Sequence, residues 1–197
     1  MLRAMKTTLI FSASLLVLTA CSGTSDVSNR TPKGNPNAAV VITEYADLQC
    51  PACRAAHQSI AAPLVAQYGN QISYNFKHFP LRSIHRFALD AAEASECAAD
   101  QGKFWEFVDI AFERQEELSL EALTAWGETL NLDMAQFSKC QKSHARRDTV
   151  LADYKEGREL NVGGTPTFFV NGKNVPTGYD TLTEAIDAEL ERLTQRL

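Results

Sequence analysis

The chain has no cluster of basic residues, no internal repeat and no second C-x-x-C pair. After residue 20 it also has no apolar run approaching the ~20 residues that a membrane-spanning helix needs. Each absence closes off a class of function. Without a basic patch nothing neutralises a phosphate backbone, so nucleic acid is not an expected partner. With one thiol pair rather than two, the motif set for a four-ligand structural zinc site is half complete.

What is there begins at the N-terminus. Arg3 and Lys6 precede an apolar stretch from Leu9 to Leu18, and small residues lead to Cys21. A charged start, a short apolar middle and a small-residue end make an export signal over residues 1–20. The run Leu18-Thr19-Ala20-Cys21 resembles the cleavage box of bacterial lipoproteins. That resemblance implies cleavage before Cys21 and a diacylglycerol on its sulfur. The protein is then lipid-anchored in the cell envelope. Ser22, rather than Asp, implies the periplasmic side of the outer membrane in a Gram-negative cell. The leader holds two of the 19 basic residues and none of the 24 acidic ones, so the net charge of −5 becomes −7 without it.

Exported proteins meet oxidising conditions. Five cysteines less a lipidated Cys21 leave Cys50, Cys53, Cys97 and Cys140. Four thiols allow three pairings. The closeness of Cys50 to Cys53 favours pairing those two, with Cys97 and Cys140 as the second pair.

Residues 21–38 are polar and rich in Gly, Pro and Ser, and read as a flexible tether. A single domain is expected over residues 39–197. Val40 to Tyr45 is β-branched and aromatic, hence a strand. A helix follows from Pro51 to about Tyr68, stopped by Gly69-Asn70, and Ile72 to Lys77 alternates as a second strand. Residues 84–160 turn helical. Ile84, Phe87, Ala88, Ala91 and Ala94 give a helical period, Phe104–Phe112 a second helix, and Ser119 and Asp133 can cap two more. A fifth helix is expected from about His144 to Leu160. Thr167–Val170, Asn171-Gly172 and Lys173–Val175 then read as a tight hairpin, and Thr181-Leu182-Thr183-Glu184 as a capping box opening a last helix. The sum is an α/β fold: a mixed sheet flanked by helices, with a helical insertion over about residues 84–160.

The chemistry sits at Cys50-Pro51-Ala52-Cys53. With Cys50 as the N-cap, Pro51 takes the first helical position, where its missing N–H costs nothing. A thiolate at Cys50 then meets orphan N–H groups and the positive end of the helix dipole, the latter worth up to ~2 kcal/mol. Cys53, one turn in, gains neither. Cys50 is therefore the expected exposed nucleophile and Cys53 the resolving thiol. A rival reading puts a copper or zinc ion on Cys50, Cys53 and His57. A merely structural disulfide is the third reading, though so short a ring gains little loop entropy.

Several motifs in order extend this. Gly34-Asn35-Pro36-Asn37-Ala38, Glu44-Tyr45-Ala46-Asp47 and Cys50-Pro51-Ala52-Cys53 resemble the DsbA-like thiol:disulfide oxidoreductases of the thioredoxin superfamily. So do Phe79-Pro80-Leu81, Glu96-Cys97-Ala98, Gln101-Gly102-Lys103-Phe104-Trp105 and Val162-Gly163-Gly164-Thr165-Pro166-Thr167. The resemblance implies a thioredoxin fold with an inserted helical subdomain. It implies a cis Pro166 beside the dithiol, with the backbone of Thr165 offered to an extended substrate. It implies that Glu44 moves the proton of the resolving thiol and that Cys97 bridges Cys140; Lys77, on the neighbouring strand, is a candidate partner for Glu44. It implies exported Cys-containing proteins as substrates, a quinone-linked membrane reoxidant, and a monomer without cofactor or metal. His57, His85, Trp105 and Trp126 are expected to be packing or surface residues. The resemblance is to oxidants, so oxidation is the expected direction, with reductase or isomerase as the alternative; Ala52 stands where strongly oxidising relatives have His, and leaves the potential unplaced.

Overall fold

The structure, a computed structural model, describes residues 28–195. The export signal and Cys21 lie outside the described residues. Five strands, β1 (Lys33–Gly34), β2 (Val40–Ala46), β3 (Ile72–His78), β4 (Thr167–Val170) and β5 (Lys173–Val175), form one sheet in the order β1-β3-β2-β4-β5. β2 is central. It runs parallel to β3, from Val40 opposite Ile72 to Ala46 opposite His78, and antiparallel to β4. The other two pairings are antiparallel. Val40, Ile42 and Glu44 are buried while Val41 and Thr43 are less so, the period-two pattern of a strand. Asn171 and Gly172 join β4 to β5 with φ of 46° and 77°, the left-handed pair that a type I′ turn demands.

Between β2 and β3 lies one helical body in two parts, α1 (Pro51–Ala56) and α2 (Ala62–Tyr68), joined by a π turn over His57–Ala61. Pro63 has no N–H to offer the carbonyl of Ser59, and the missing i→i−4 bond gives the wider turn its place. Between β3 and β4 come α3 (Ala88–Ala99), α4 (Phe104–Glu113), α5 (Leu120–Thr129), α6 (Met134–Lys142) and α7 (Arg147–Glu159). Ser119 caps α5 by accepting from the Ala122 N–H, and Asp133 caps α6 by accepting from Ala135 and Gln136. α8 (Tyr179–Thr194) closes the fold.

Two cores meet at the sheet. Val40, Ile42, Ile72 and Phe168 pack with Ile60 and Leu64 of the first helical body and with Leu182 and Ile186 of α8. Phe76 packs with Phe104, Phe107, Phe112, Trp126 and Phe137 of the inserted helices, where Ala91, Ala94 and Ala98 let α3 approach closely. A disulfide joins Cys97 of α3 to Cys140 of α6 across a separation of 43 residues.

Three expectations need correction. Residues 28–38 are not a free tether. Ser28 and Arg30 bond to the fully buried Glu96, Arg30 Nη2 lies 2.5 Å from Asp153, the Trp105 indole donates to the Thr31 carbonyl, and Lys33–Gly34 pairs with β3. Composition alone could not show this, because the partners lie about 70 and 120 positions away. Ile84 is not part of α3; it stands in the loop before it, 71% exposed. The last helix begins two residues before Thr181, whose hydroxyl turns back to the carbonyls of Pro176 and Gly178.

Arg30 serves two buried carboxylates at once. Burial works against the charge on Glu96, but His78, Arg30 and Ser28 outweigh it and hold the group down to about 2. Replacing Arg30 by Met removes this counter-charge and leaves both acids buried. The variant is expected to lose ~3–5 kcal/mol in urea unfolding, as broken buried pairs do. The double variant Cys97→Ala/Cys140→Ala is expected to lose ~2–4 kcal/mol in the same measurement.

Candidate active site

β2 ends at Ala46, and four residues turn the chain into α1. Asp47 makes that turn. Its buried carboxylate accepts from the N–H groups of Gln49 and Leu81 and from His85 Nδ1, at 2.7 to 2.8 Å. Its own N–H points at Cys53 Sγ, 3.5 Å away. Gln115, from the insertion, donates to the carbonyls of Leu48 and Cys50 at 2.9 and 3.1 Å. The dithiol loop is thus held from both sides. Asp47 has a local signal as a turn-forming residue at a strand end. Gln115 has none, since it is 65 positions from its partner.

Cys50 is the N-cap of α1, with extended φ/ψ and Pro51 at the first helical position. It is less open than expected, 7% exposed against 0% for Cys53, because inserted helices crowd the helix start. Both thiols are free in this structure. The two sulfurs are pushed apart in acidity. The Cys53 thiol bonds to the Cys50 sulfur and lowers Cys50 to about 5; burial opposes this, while Thr165 and the N–H groups of Cys53 and Ala52 add to it. The Cys50 side chain makes no cap hydrogen bond of full geometry. The help from those N–H groups is therefore electrostatic, as a helix N-terminus provides. Cys53 moves the other way: burial, its bond to Cys50 and the charge of Glu44 all raise it.

Thr165 and Pro166 stand beside this pair, joined by a cis peptide bond. The Cys50 thiol lies 3.5 Å from the Thr165 carbonyl. The buried Thr165 hydroxyl has no partner of full geometry, yet it favours the thiolate of either sulfur. The register of β4 on β2, with Thr167 opposite Tyr45, brings these residues from 115 positions away.

Glu44 is fully buried on β2, and Tyr74 of β3 donates to its Oε2 at 2.6 Å. Burial pushes its carboxyl up to about 7, while Tyr74, His57 and Lys33 pull against that rise. Lys77 is not its partner. The alternation of β3 turns Lys77 to the other face, where it pairs with Asp153 and Glu156 at 3.0 Å. His57 gives Nε2 to Asp109 at 2.9 Å, and neither ring nitrogen bonds a sulfur. His85 is tied to Asp47, Trp105 to Thr31, and Trp126 is core. Cys97 and Cys140 bond to each other and lie apart from the dithiol's chemistry.

The arrangement holds one sulfur ready as a thiolate at neutral pH. It keeps the other as a thiol beside a buried acid that titrates near neutrality, which is the division of labour that thiol–disulfide exchange needs.

Comparison with known proteins agrees on the fold. The family model described as Thioredoxin matches residues 27–188. The chain is 35% identical over 156 residues to Na(+)/H(+) antiporter NhaA 3 of Salinispora tropica, across 78% of this chain and 24% of that protein. It is 38% identical over 157 residues to Na(+)/H(+) antiporter NhaA 1 of Salinispora arenicola, across 79% and 23%. The chain thus spans about a quarter of the length of these curated relatives. Among solved structures, oxidised BdbD from Bacillus subtilis superposes with a TM-score of 0.74 at 22% identity, over 83% of this chain and 94% of that one. Wolbachia pipientis alpha-DsbA1 gives 0.70 at 24%, over 80% and 89%. MdbA, a thiol-disulfide oxidoreductase from Corynebacterium diphtheriae, gives 0.64 at 17%, over 85% and 100%. The chain belongs to the thioredoxin family, in the fold of the DsbA-type thiol-disulfide oxidoreductases.

Proposed function

We propose that this protein is a thiol:disulfide oxidoreductase of the cell envelope. It oxidises exported proteins by exchange at Cys50 and Cys53. The observation that carries this reading is the split between the sulfurs: Cys50 lowered to about 5 at a helix start, Cys53 buried and raised. A substrate thiolate attacks Cys50 Sγ of the Cys50–Cys53 disulfide, and Cys53 leaves with the electron pair. A second substrate thiolate then attacks the substrate's own sulfur in the mixed disulfide. Cys50 leaves as a stabilised thiolate, so its low pKa speeds this step and favours the oxidising direction. The carbonyl of Thr165, presented by the cis bond to Pro166, receives an extended substrate backbone. Glu44 takes or returns the proton of Cys53. A membrane redox partner, quinone-linked, reoxidises the dithiol.

The address follows from the leader. Cys21 carries the lipid, and the domain faces the periplasm from the outer membrane as a monomer. Ser28 and Arg30, seven and nine residues after Cys21, bond to Glu96 of the fold. Sodium–proton exchange belongs to the named antiporters as whole proteins; the part that this chain matches is a quarter of each.

Alkylation of reduced protein by iodoacetamide should modify Cys50 with a midpoint near pH 5, and Cys50→Ser should abolish exchange. Cys53→Ser should trap a mixed disulfide with a thiol substrate. Equilibration with glutathione should give a potential at or above about −200 mV. A value near thioredoxin's, about −270 mV, rules out the oxidising direction.

Glu44 sets a separate pH dependence. Its folded pKa is raised above the ordinary 4.5, so its contribution to stability is full below that value and is lost as pH rises through about 7. In the oxidised protein, where no thiol titrates at the site, Tm should fall between pH 5 and pH 8. Glu44→Gln should flatten that fall, as scanning calorimetry at the two pH values will show.

A further inference from the structure

The dithiol turn leaves the carboxyl end of the central strand. β3 runs parallel to that strand and β4 antiparallel to it, so the segment after β3 and the segment before β4 flank the turn on opposite sides. On the β4 side stand Thr165 and Pro166. On the β3 side stands the loop of residues 79–87, stitched to residues 46–49 at four points. The Phe79 N–H donates to the Ala46 carbonyl at 2.8 Å. The Leu81 N–H and His85 Nδ1 meet the Asp47 carboxylate at 2.8 and 2.7 Å. The Phe87 N–H donates to Gln49 Oε1 at 2.7 Å, one residue before Cys50. Within the loop the N–H groups of Ile84 and His85 both donate to the Leu81 carbonyl, at 3.0 and 2.9 Å. The loop is therefore a fixed rim of the site.

This rim holds three side chains out in water. Ile84 is the most exposed large apolar residue among the described residues. Arg82 and Arg86, two positions to either side of it, are exposed as well. Each guanidinium lies over a ring, Arg82 over Tyr154 at 5.9 Å and Arg86 over Phe87 at 5.1 Å. Neither makes an ion pair among the described residues. Such stacking fixes the head group and leaves its N–H edge open to a carboxylate. The chain carries a net charge of −5, so two uncommitted cations here oppose its overall sign. A lone exposed isoleucine is ordinary on a protein surface. This one is held out by a hydrogen-bonded loop, between two free cations, beside a reactive turn.

Granted the oxidoreductase reading above, we propose that Arg82, Ile84 and Arg86 select the client protein. The class that fits is an extended segment with an apolar side chain between carboxylates, a few residues from its reactive cysteine. The distance comes from the sheet. Neighbouring strands lie ~4.8 Å apart and an extended chain rises ~3.3 Å per residue, so a segment lying across the turn meets the rim about two to five residues from its cysteine. The carboxylates pair with Arg82 and Arg86, and the apolar side chain covers Ile84. The Thr165 carbonyl takes the segment's backbone on the other side of Cys50. The rim takes no part in bond making. It speeds encounter and prolongs the complex for clients of one charge pattern, and it disfavours clients of the opposite pattern by like-charge contact.

The test uses the full-length oxidised protein in neutral detergent and two reduced peptides, each with a cysteine pair. The peptides differ only in a flank, Glu-Leu-Glu or Lys-Leu-Lys, placed about three residues from the first cysteine. Peptide oxidation is followed by acid quench and chromatography. Each peptide's rate is scaled by its rate with hydroxyethyl disulfide, which carries no charge, and each protein's rate by its rate with dithiothreitol. The acidic peptide should react at least ~5-fold faster than the basic one at low salt, as two exposed ion pairs allow. The difference should shrink toward parity in about 1 M salt, where the Debye length is ~3 Å. The double variant Arg82→Glu/Arg86→Glu should invert the preference. Ile84→Ser should slow both peptides by a common factor and keep their ratio. Parity in the parent at low salt, or a preference that the double variant retains, overturns the selecting surface alone. A rim that phosphatidylglycerol vesicles cover, stopping both peptides alike in the parent and not in the double variant, belongs to the bilayer and overturns it too. A parent that oxidises neither peptide overturns the oxidising reading and the selecting surface with it.

Discussion

The Cys53 thiol gives its hydrogen to the Cys50 sulfur, and that interaction does most to lower Cys50, while burial first and the same bond second raise Cys53. It survives only if one sulfur stays near water and the other is kept from it. α1 meets the first need by beginning at Cys50. The inserted helices and Glu44 meet the second by closing over Cys53. A thiolate in the interior would cost several kcal/mol, so the fold assigns the charge to the helix start.

The central place of β2 makes this arrangement possible. Its carboxyl end carries the turn at Asp47 and then the dithiol. Its side chains on one face lead to Glu44. Its antiparallel neighbour β4 begins just after Pro166, so register alone sets Thr165 against Cys50. One strand therefore collects three parts of the site from the first and last thirds of the chain. The insertion adds Gln115 to the dithiol loop and Asp109 to His57, and its own integrity rests on the Cys97–Cys140 bridge and on Arg30 between Glu96 and Asp153. The N-terminal segment that leads toward the expected lipid anchor is thus part of the domain's electrostatic core.

Local rules worked where neighbours in the chain are neighbours in space. The alternation of β2, the Pro after Cys50, the Asn-Gly turn and the caps at Ser119 and Asp133 are contacts over one to four residues, and all are present. Ile84 and Thr181 misled because an apolar or capping residue one turn from a helix start fits the same period as one inside it. Lys77 misled because a strand neighbour of the right charge can face either side of a sheet, and a one-residue shift changes the side.

The sequence by itself determined the dithiol, the identity of the sulfur at the helix start, the alternation that buries Glu44, and the order of strands and helices from Val40 onward. These depend on residue type and short spacing. Only the tertiary structure decided who partners Glu44, what holds the dithiol loop, and that residues 28–38 are docked rather than free. Each of those contacts joins positions about 30 to 120 residues apart. The energy of such a pair depends on burial and direction in space, which no local pattern of residues encodes.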